Sequence, residues 1–295
     1  MRKLFQSVTD EIIAAIEAGA GDYTMPWHVG AAGLPVNAAS GRAYSGTNTL
    51  LLWAAAPICG YSSSRWATYR QWAELGAQVR KGEKATTVLF WKTLAGDADQ
   101  ALDEAGDARQ LRFVARAFRV FNAAQVDGID DEAPLALNEG NRIERAERFF
   151  NQLPAMIWYG SESAFFDQRA DMISMPDFTK FRSAEAFYSV LSHELVHWSG
   201  ARHRLGRNLK GLFGSEAYAM EELIAEMGAA FLCARLGLSI EPRRDHAPYI
   251  DSWLKVLQGD PRAIITAASR AQISVNFLVG LASGEIQAAC AGQAA

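Results

Sequence analysis

Little in this sequence supports a covalently stapled or membrane-bound scaffold. Its 295 residues include only three cysteines, Cys59, Cys233 and Cys290, far apart and without a CxxC pair. That excludes a disulfide framework and a cysteine zinc module, and it fits a reducing compartment. No run approaches the roughly eighteen consecutive apolar residues of a membrane-spanning helix. The opening stretch, MRKLFQSVTDEIIAAIEAG, carries Asp10, Glu11 and Glu17 where a secretory signal needs an unbroken apolar core. A cytoplasmic protein with no membrane partner is the expectation. A basic excess is missing too, since 29 Lys and Arg face 33 Asp and Glu for a net charge of -4. This excludes a uniformly basic protein but leaves room for a basic region. What is present, 49% hydrophobic and 21% charged residues, excludes wholesale disorder, and the length suffices for two domains.

Charge and aromatic residues are unevenly spread. Residues 1–95 hold nine Lys and Arg against six acids, together with five of the eight tryptophans, Trp27, Trp53, Trp66, Trp72 and Trp91. The segment GDADQALDEAGDA (96–108) follows, with five acids and no base. It reads as a solvated loop joining two strand-like runs, 86–91 and 112–121. The polar stretch VDGIDDEAP (126–134) is the better domain boundary. The expected organisation is therefore a domain over 1–128, with the acidic loop inside it, and a second over 135–295. The first should contain helices at about 6–19, 47–56 and 68–76 beside antiparallel strands. The second should be mainly helical, with helices at about 140–152, 183–199 and 216–236, strand-like segments near 156–159 and 171–174, and two more helices in the tail. Ser183 and Ser215 are suitable caps, and Gly237 a suitable stop. The fold class is α+β.

The most informative residues are His193-Glu194-Leu195-Val196-His197. On a helix, positions four apart share a face, so both imidazoles can point at one cation. Glu194 sits about 100° round the same turn, within reach of a water held there. This is the HExxH arrangement of zinc peptidases, two ligands plus a general base. Phe187, Val190, Leu191, Leu195 and Trp198 supply the apolar stripe of a helix with its other face buried. The bland alternative is a surface helix carrying two exposed histidines.

Such a site needs a third protein ligand. His203 stands six residues past His197, but it lies beyond Gly200, a helix-ending residue, and the intervening glycine pattern of HExxHxxGxxH enzymes is missing. The next long helix contains Met220-Glu221-Glu222-Leu223-Ile224-Ala225-Glu226. Glu222 and Glu226 share a face, and Gly228, Ala229 and Ala230 allow close approach to the HExxH helix. The reading favours Glu222 as ligand and Glu226 as hydrogen-bond partner of a ligand histidine, over the reverse; without HExxH, Glu221, Glu222 and Glu226 would read as a solvated helix face. One divalent ion is expected, zinc first, although a His-His-Glu set also accepts manganese or cobalt. His246 and Tyr249 are candidates for a donor to the developing oxyanion.

The first region offers no catalytic constellation. It does have loops that mix aromatics, bases and small polar residues, such as 40–48, 61–69 and 80–84. Aromatic rings stack on unpaired bases while Lys and Arg neutralise phosphates, the combination used for single-stranded nucleic acid. Core packing is the competing use of the same aromatics, and Trp53 and Trp91, inside apolar runs, read that way.

The segments PWH (26–28), SGRAYSGTNTLLLW (40–53), WATYRQWAELGAQVRKGEKAT (66–86), LSHELVHWSG (191–200), FGSEAYAMEELIAEMGAAFLC (213–233) and DHAPYIDSWLKVLQGDPRAI (245–264) resemble the ArdC-type antirestriction proteins of conjugative plasmids. That family shares its N-terminal region with TraC-type plasmid primases. The resemblance implies a single-stranded-DNA-binding N-terminal domain, a zincin-like metallopeptidase domain, an unknown protein substrate, and protection of incoming plasmid DNA from host restriction during conjugation. By the same resemblance Arg42, Tyr44, Asn48, Trp66, Tyr69, Lys81 and Lys84 are the expected DNA contacts. One departure is visible: the family often reads HWTGH after the metal motif, whereas this chain reads His197-Trp198-Ser199-Gly200-Ala201. Two other readings compete. In one the metal is purely structural and protection comes from coating DNA; in the other a cytosolic peptidase grips protein partners through its N-terminal domain.

Overall fold

A computed structural model describes residues 2–19, 25, 27, 33–93, 113–129, 139–209, 215–239, 247–260 and 262–286. The acidic loop at 96–108, His246 and Cys290 lie outside the described residues, as does the side chain of Tyr249. The chain opens with helix α1 (Arg2–Gly19), then β1 (Val36–Asn37), α2 (Thr47–Cys59), β2 (Arg65–Thr68), α3 (Tyr69–Glu74), β3 (Gln78–Val79), β4 (Thr86–Thr93), β5 (Phe113–Asn122) and β6 (Val126–Asp127). It continues through α4 (Glu139–Phe150), β7 (Met156–Tyr159), β8 (Phe165–Asp167) and β9 (Met172–Met175). Four helices close it: α5 (Ala184–Ser199), α6 (Glu216–Leu236), α7 (Ala247–Gly259) and α8 (Ala263–Ala282). The α+β class holds.

The N-terminal sheet runs β1-β2-β5-β4. Its β4–β5 pair is a long antiparallel hairpin with Val88 opposite Phe118 and Phe90 opposite Arg116. The β1–β2 pair is parallel, and β3 with β6 forms a separate two-stranded ribbon. Strands of two or three residues carry no periodicity, which is why β1, β3, β6 and β8 escape a reading of the sequence alone. In the later region the strand-like segments expected near 156–159 and 171–174 are β7 and β9, and β8 joins them in a three-stranded sheet.

One apolar core is continuous from Ile12 and Ile16 of α1 and Leu50 and Trp53 of α2 into α5, α6, α7 and α8. Trp53 anchors this junction by donating its indole N–H to the Gly33 carbonyl at 3.1 Å. Among the described residues only α8 has the length and hydropathy of a membrane span, and half of that window is buried inside the protein. It therefore behaves as a core helix, packed on α6 and α5.

The two helices that matter most start and stop where their caps dictate. The Ser183 hydroxyl accepts from the Ala186 N–H at the start of α5, and Ser215 does the same for Tyr218 at the start of α6. Gly237 ends α6 in the left-handed region at φ 78°, where L side chains pay a steric penalty. Gly228 sets the spacing between α5 and α6: a Cβ there would stand 2.6 Å from Cγ2 of Val196.

Candidate metal centre

Helix α5 presents His193 and His197 on one face, and α6 brings three glutamates against them. The two Nε2 atoms are 3.1 Å apart. Glu222 faces both, with Oε2 3.5 Å from His193 Nε2 and Oε1 3.7 Å from His197 Nε2. Ligand bonds of about 2.0–2.1 Å at a tetrahedral angle place donor atoms about 3.3 Å from each other. The His193, His197 and Glu222 donors thus have the spacing of three corners of one coordination sphere, and neutral imidazoles with a carboxylate suit a divalent ion.

The opposite edges of both rings are held as well. His193 Nδ1 is 2.8 Å from Glu226 Oε1, and His197 Nδ1 is 3.2 Å from Glu221 Oε1. A carboxylate on Nδ1 keeps the proton there and turns the Nε2 lone pair inward. Burial alone would lower the His193 pKa, but the Glu226 charge, hydrogen bonds to Glu222 and Glu226, and nearby Glu194 push it up to about 10. Burial also opposes ionisation of Glu222, yet its hydrogen bond to His193, the two imidazoles and the Tyr218 hydroxyl hold it below its ordinary value.

Glu221 does not lie on a solvated helix face. It is 7% exposed, and a buried carboxylate needs a compensating cation. Arg207 supplies it, with Nη2 2.8 Å from Oε1 and Nε 3.0 Å from Oε2. The same guanidinium donates to the Val196 carbonyl at 2.6 Å and to the Ser274 hydroxyl of α8 at 2.7 Å. Glu221 accordingly ionises below its usual range despite burial, through His197 and Arg207. Gly200 makes the berth: a Cβ there would meet Arg207 Nη2 at 2.6 Å. Neither Arg207 nor Glu221 was legible as a site residue, because the arginine sits in a loop and its partner is adjacent to a more obvious glutamate.

Glu194 is 7% exposed on the turn that carries His193. His203 stays outside the cluster and lies 3.2 Å from Asp171 instead.

The seven expected DNA contacts divide by burial. Arg42, Tyr69, Lys81 and Lys84 are exposed. Trp66 is 1% and Tyr44 8% exposed, which corrects their assignment as stacking platforms: both rings belong to the core cluster with Leu52, Val88 and Val120. Asn48 is committed to structure, exchanging two 2.7 Å hydrogen bonds with the backbone of Leu89.

Comparison with known proteins agrees with both halves of this description. Residues 2–121 match the family of the N-terminal domain of anti-restriction factor ArdC, and residues 144–270 match the zincin-like metallopeptidases. The chain is 52% identical to the uncharacterized protein y4eC of Sinorhizobium fredii, over 91% of this chain and 89% of that protein. It is 36% identical to the DNA primase TraC of Escherichia coli over 96% of its own length, but spans only 27% of the primase. The crystal structure of the antirestriction protein ArdC from plasmid R388, solved metal-free, superposes with a TM-score of 0.78 at 38% identity, covering 95% of this chain and 98% of that one. A Mn(II)-bound structure of the same protein gives 0.77.

Proposed function

The chain belongs to the ArdC family of antirestriction proteins, and from that premise we propose a cytoplasmic protein that binds single-stranded DNA and hydrolyses peptide bonds while protecting transferred plasmid DNA from restriction. The observation that carries the hydrolase half is the convergence of His193 Nε2, His197 Nε2 and Glu222 within 3.1–3.7 Å. In this reading those three residues hold one divalent ion, with zinc the first choice for the donor set. The bound ion supplies an acidified water and a polarised carbonyl. Glu194 accepts the proton and returns it to the departing amine, and Glu221 and Glu226 fix the tautomers of the ligand histidines. Arg42, Tyr69, Lys81 and Lys84 supply charge and one exposed ring toward DNA. The functional division falls near residues 129–134, between a DNA-binding part and a peptidase part.

A structural role for the ion is the second reading, and burial favours it: the side chains of His193, His197 and Glu222 are only 9%, 14% and 12% exposed. One experiment separates the two. Metal content is measured on the wild-type protein, His193→Ala and Glu194→Ala, followed by a protein-cleavage assay with and without single-stranded DNA. Wild type and Glu194→Ala should retain the metal and His193→Ala should lose it, with cleavage by the wild type alone. Cleavage surviving in Glu194→Ala removes the proposed base; a metal-loaded wild type that never cleaves yet protects DNA makes the ion structural.

A further inference from the structure

The geometry points to the cleft between the N-terminal sheet and α8 as the seat of an unpaired nucleobase, with the strand's phosphate on Arg116 of β5. This inference rests on the single-stranded-DNA reading above and places it on a surface that includes only Asn48 of the expected contacts. The cleft measures about 560 Å³; Ser45, Thr47 and Phe90 line one wall, and Ile265, Ser269 and Ile273 of α8 line the other.

The aromatic element arises from how far α2 reaches. On the face of the β4–β5 hairpin that α2 covers, Val88 and Val120 are 0% and 1% exposed. Farther along the same face Phe90 and Phe118 are left 48% and 41% exposed, packed edge to face with centroids 5.2 Å apart. Their free ring surface offers stacking to any base. Arg116 stands directly opposite Phe90 in the register and is exposed, with no ion pair to any described residue.

Chemistry selects the occupant. Among the described residues no acid lines the cleft, and Arg116 stands exposed on the same face as Phe90 and Phe118, so an anionic chain is favoured. The hydroxyls of Ser45, Thr47 and Ser269 can donate or accept, which suits bases of any identity. A peptide adding as a further strand is disfavoured. Although β4 is the edge of its sheet, the Asn48 amide already occupies both the N–H and the carbonyl of Leu89, and a strand would need those groups.

The test is fluorescence anisotropy of a short labelled oligothymidylate with the full-length wild type, Phe90→Ala, Phe90→Tyr and Arg116→Gln, each checked for an unchanged melting curve. Phe90→Ala should weaken binding about 5- to 100-fold while Phe90→Tyr stays near wild type. Arg116→Gln should lower the slope of log affinity against log salt by about one. A strand with abasic sites should bind the wild type as weakly as intact strand binds Phe90→Ala. Wild-type binding with all three variants unchanged overturns the cleft alone. No binding by the wild type at any salt overturns the nucleic-acid reading with it. Variants that lose affinity for an unfolded protein ligand but not for DNA make this a peptide site and overturn the inference as well.

Discussion

The candidate metal centre and the proposed nucleic-acid face handle charge in opposite ways. In the first, four glutamates, two histidines and one arginine are withdrawn from water, and acidic and basic groups face one another: Glu226 on His193, Glu221 on His197, Arg207 on Glu221. In the second, arginines and lysines stand in solvent. An exposed pair such as Arg70–Glu74, with side chains 89% and 57% accessible, adds almost nothing to stability. A buried charge must be over-determined because an unmatched one costs several kcal/mol; a surface charge needs no such matching because water solvates it. The two regions should therefore fail differently when mutated.

The largest effect tests which aromatics belong to the core. Trp66→Ala should cost about 3–5 kcal/mol of stability, the usual penalty for emptying a fully buried aromatic site, measured by thermal or denaturant unfolding. At a temperature where the variant remains folded, its affinity for single-stranded DNA should match the wild type, since a ring that is 1% exposed offers no face to a base. A selective loss of DNA affinity with normal stability would put Trp66 back on the interface and blur the contrast.

Next in size is the arginine that ties the metal centre together. Arg207→Met strands the buried Glu221 carboxylate and frees the His197 ring, and should lower metal affinity about 10- to 100-fold, read by competition with a chelating dye. Gly200→Ala should produce a weaker version of the same loss, because its Cβ would stand 2.6 Å from Nη2 and 2.8 Å from Cζ of Arg207. DNA affinity should not move in either variant. Full metal affinity in Arg207→Met would reduce the guanidinium to a packing element joining α5, α6 and α8.

The same contrast explains what a reading of the sequence can reach. Helices α5 and α6 announce themselves because capping serine, apolar stripe and histidine spacing agree at the same residues, and Glu222 with Glu226 follow from one helical face. Glu221 escapes because its role depends on Arg207, whose loop position has no period to betray it. In the N-terminal region tryptophan content draws attention to rings such as Trp66, Trp72 and Trp53, all buried. Beside Tyr69, the exposed aromatics among the described residues there are Phe90 and Phe118, whose uncovering depends on where α2 ends on the sheet. That is a tertiary fact with no local signature.

A pH dependence should also appear in one region and not in the other. In the metal-free protein His193 binds its proton up to about pH 10, against an ordinary value of 6.5. A raised pKa means that the protonated ring contributes stability fully below pH 6.5, and that this contribution is lost as pH rises through about 10. A metal ion needs the ring's lone pair, so across that window its uptake must expel the proton, and apparent metal affinity should rise about tenfold per pH unit. Titration of metal into the protein at several pH values checks the slope, and proton release into a weak buffer checks its origin. DNA affinity carried by guanidinium groups should stay flat over the same range, because arginine does not deprotonate there. A flat metal profile would mean that Glu226, Glu222 and Glu194 do not hold a proton on His193 before the ion arrives, and the over-determined charge of the buried site would lose its clearest thermodynamic signature.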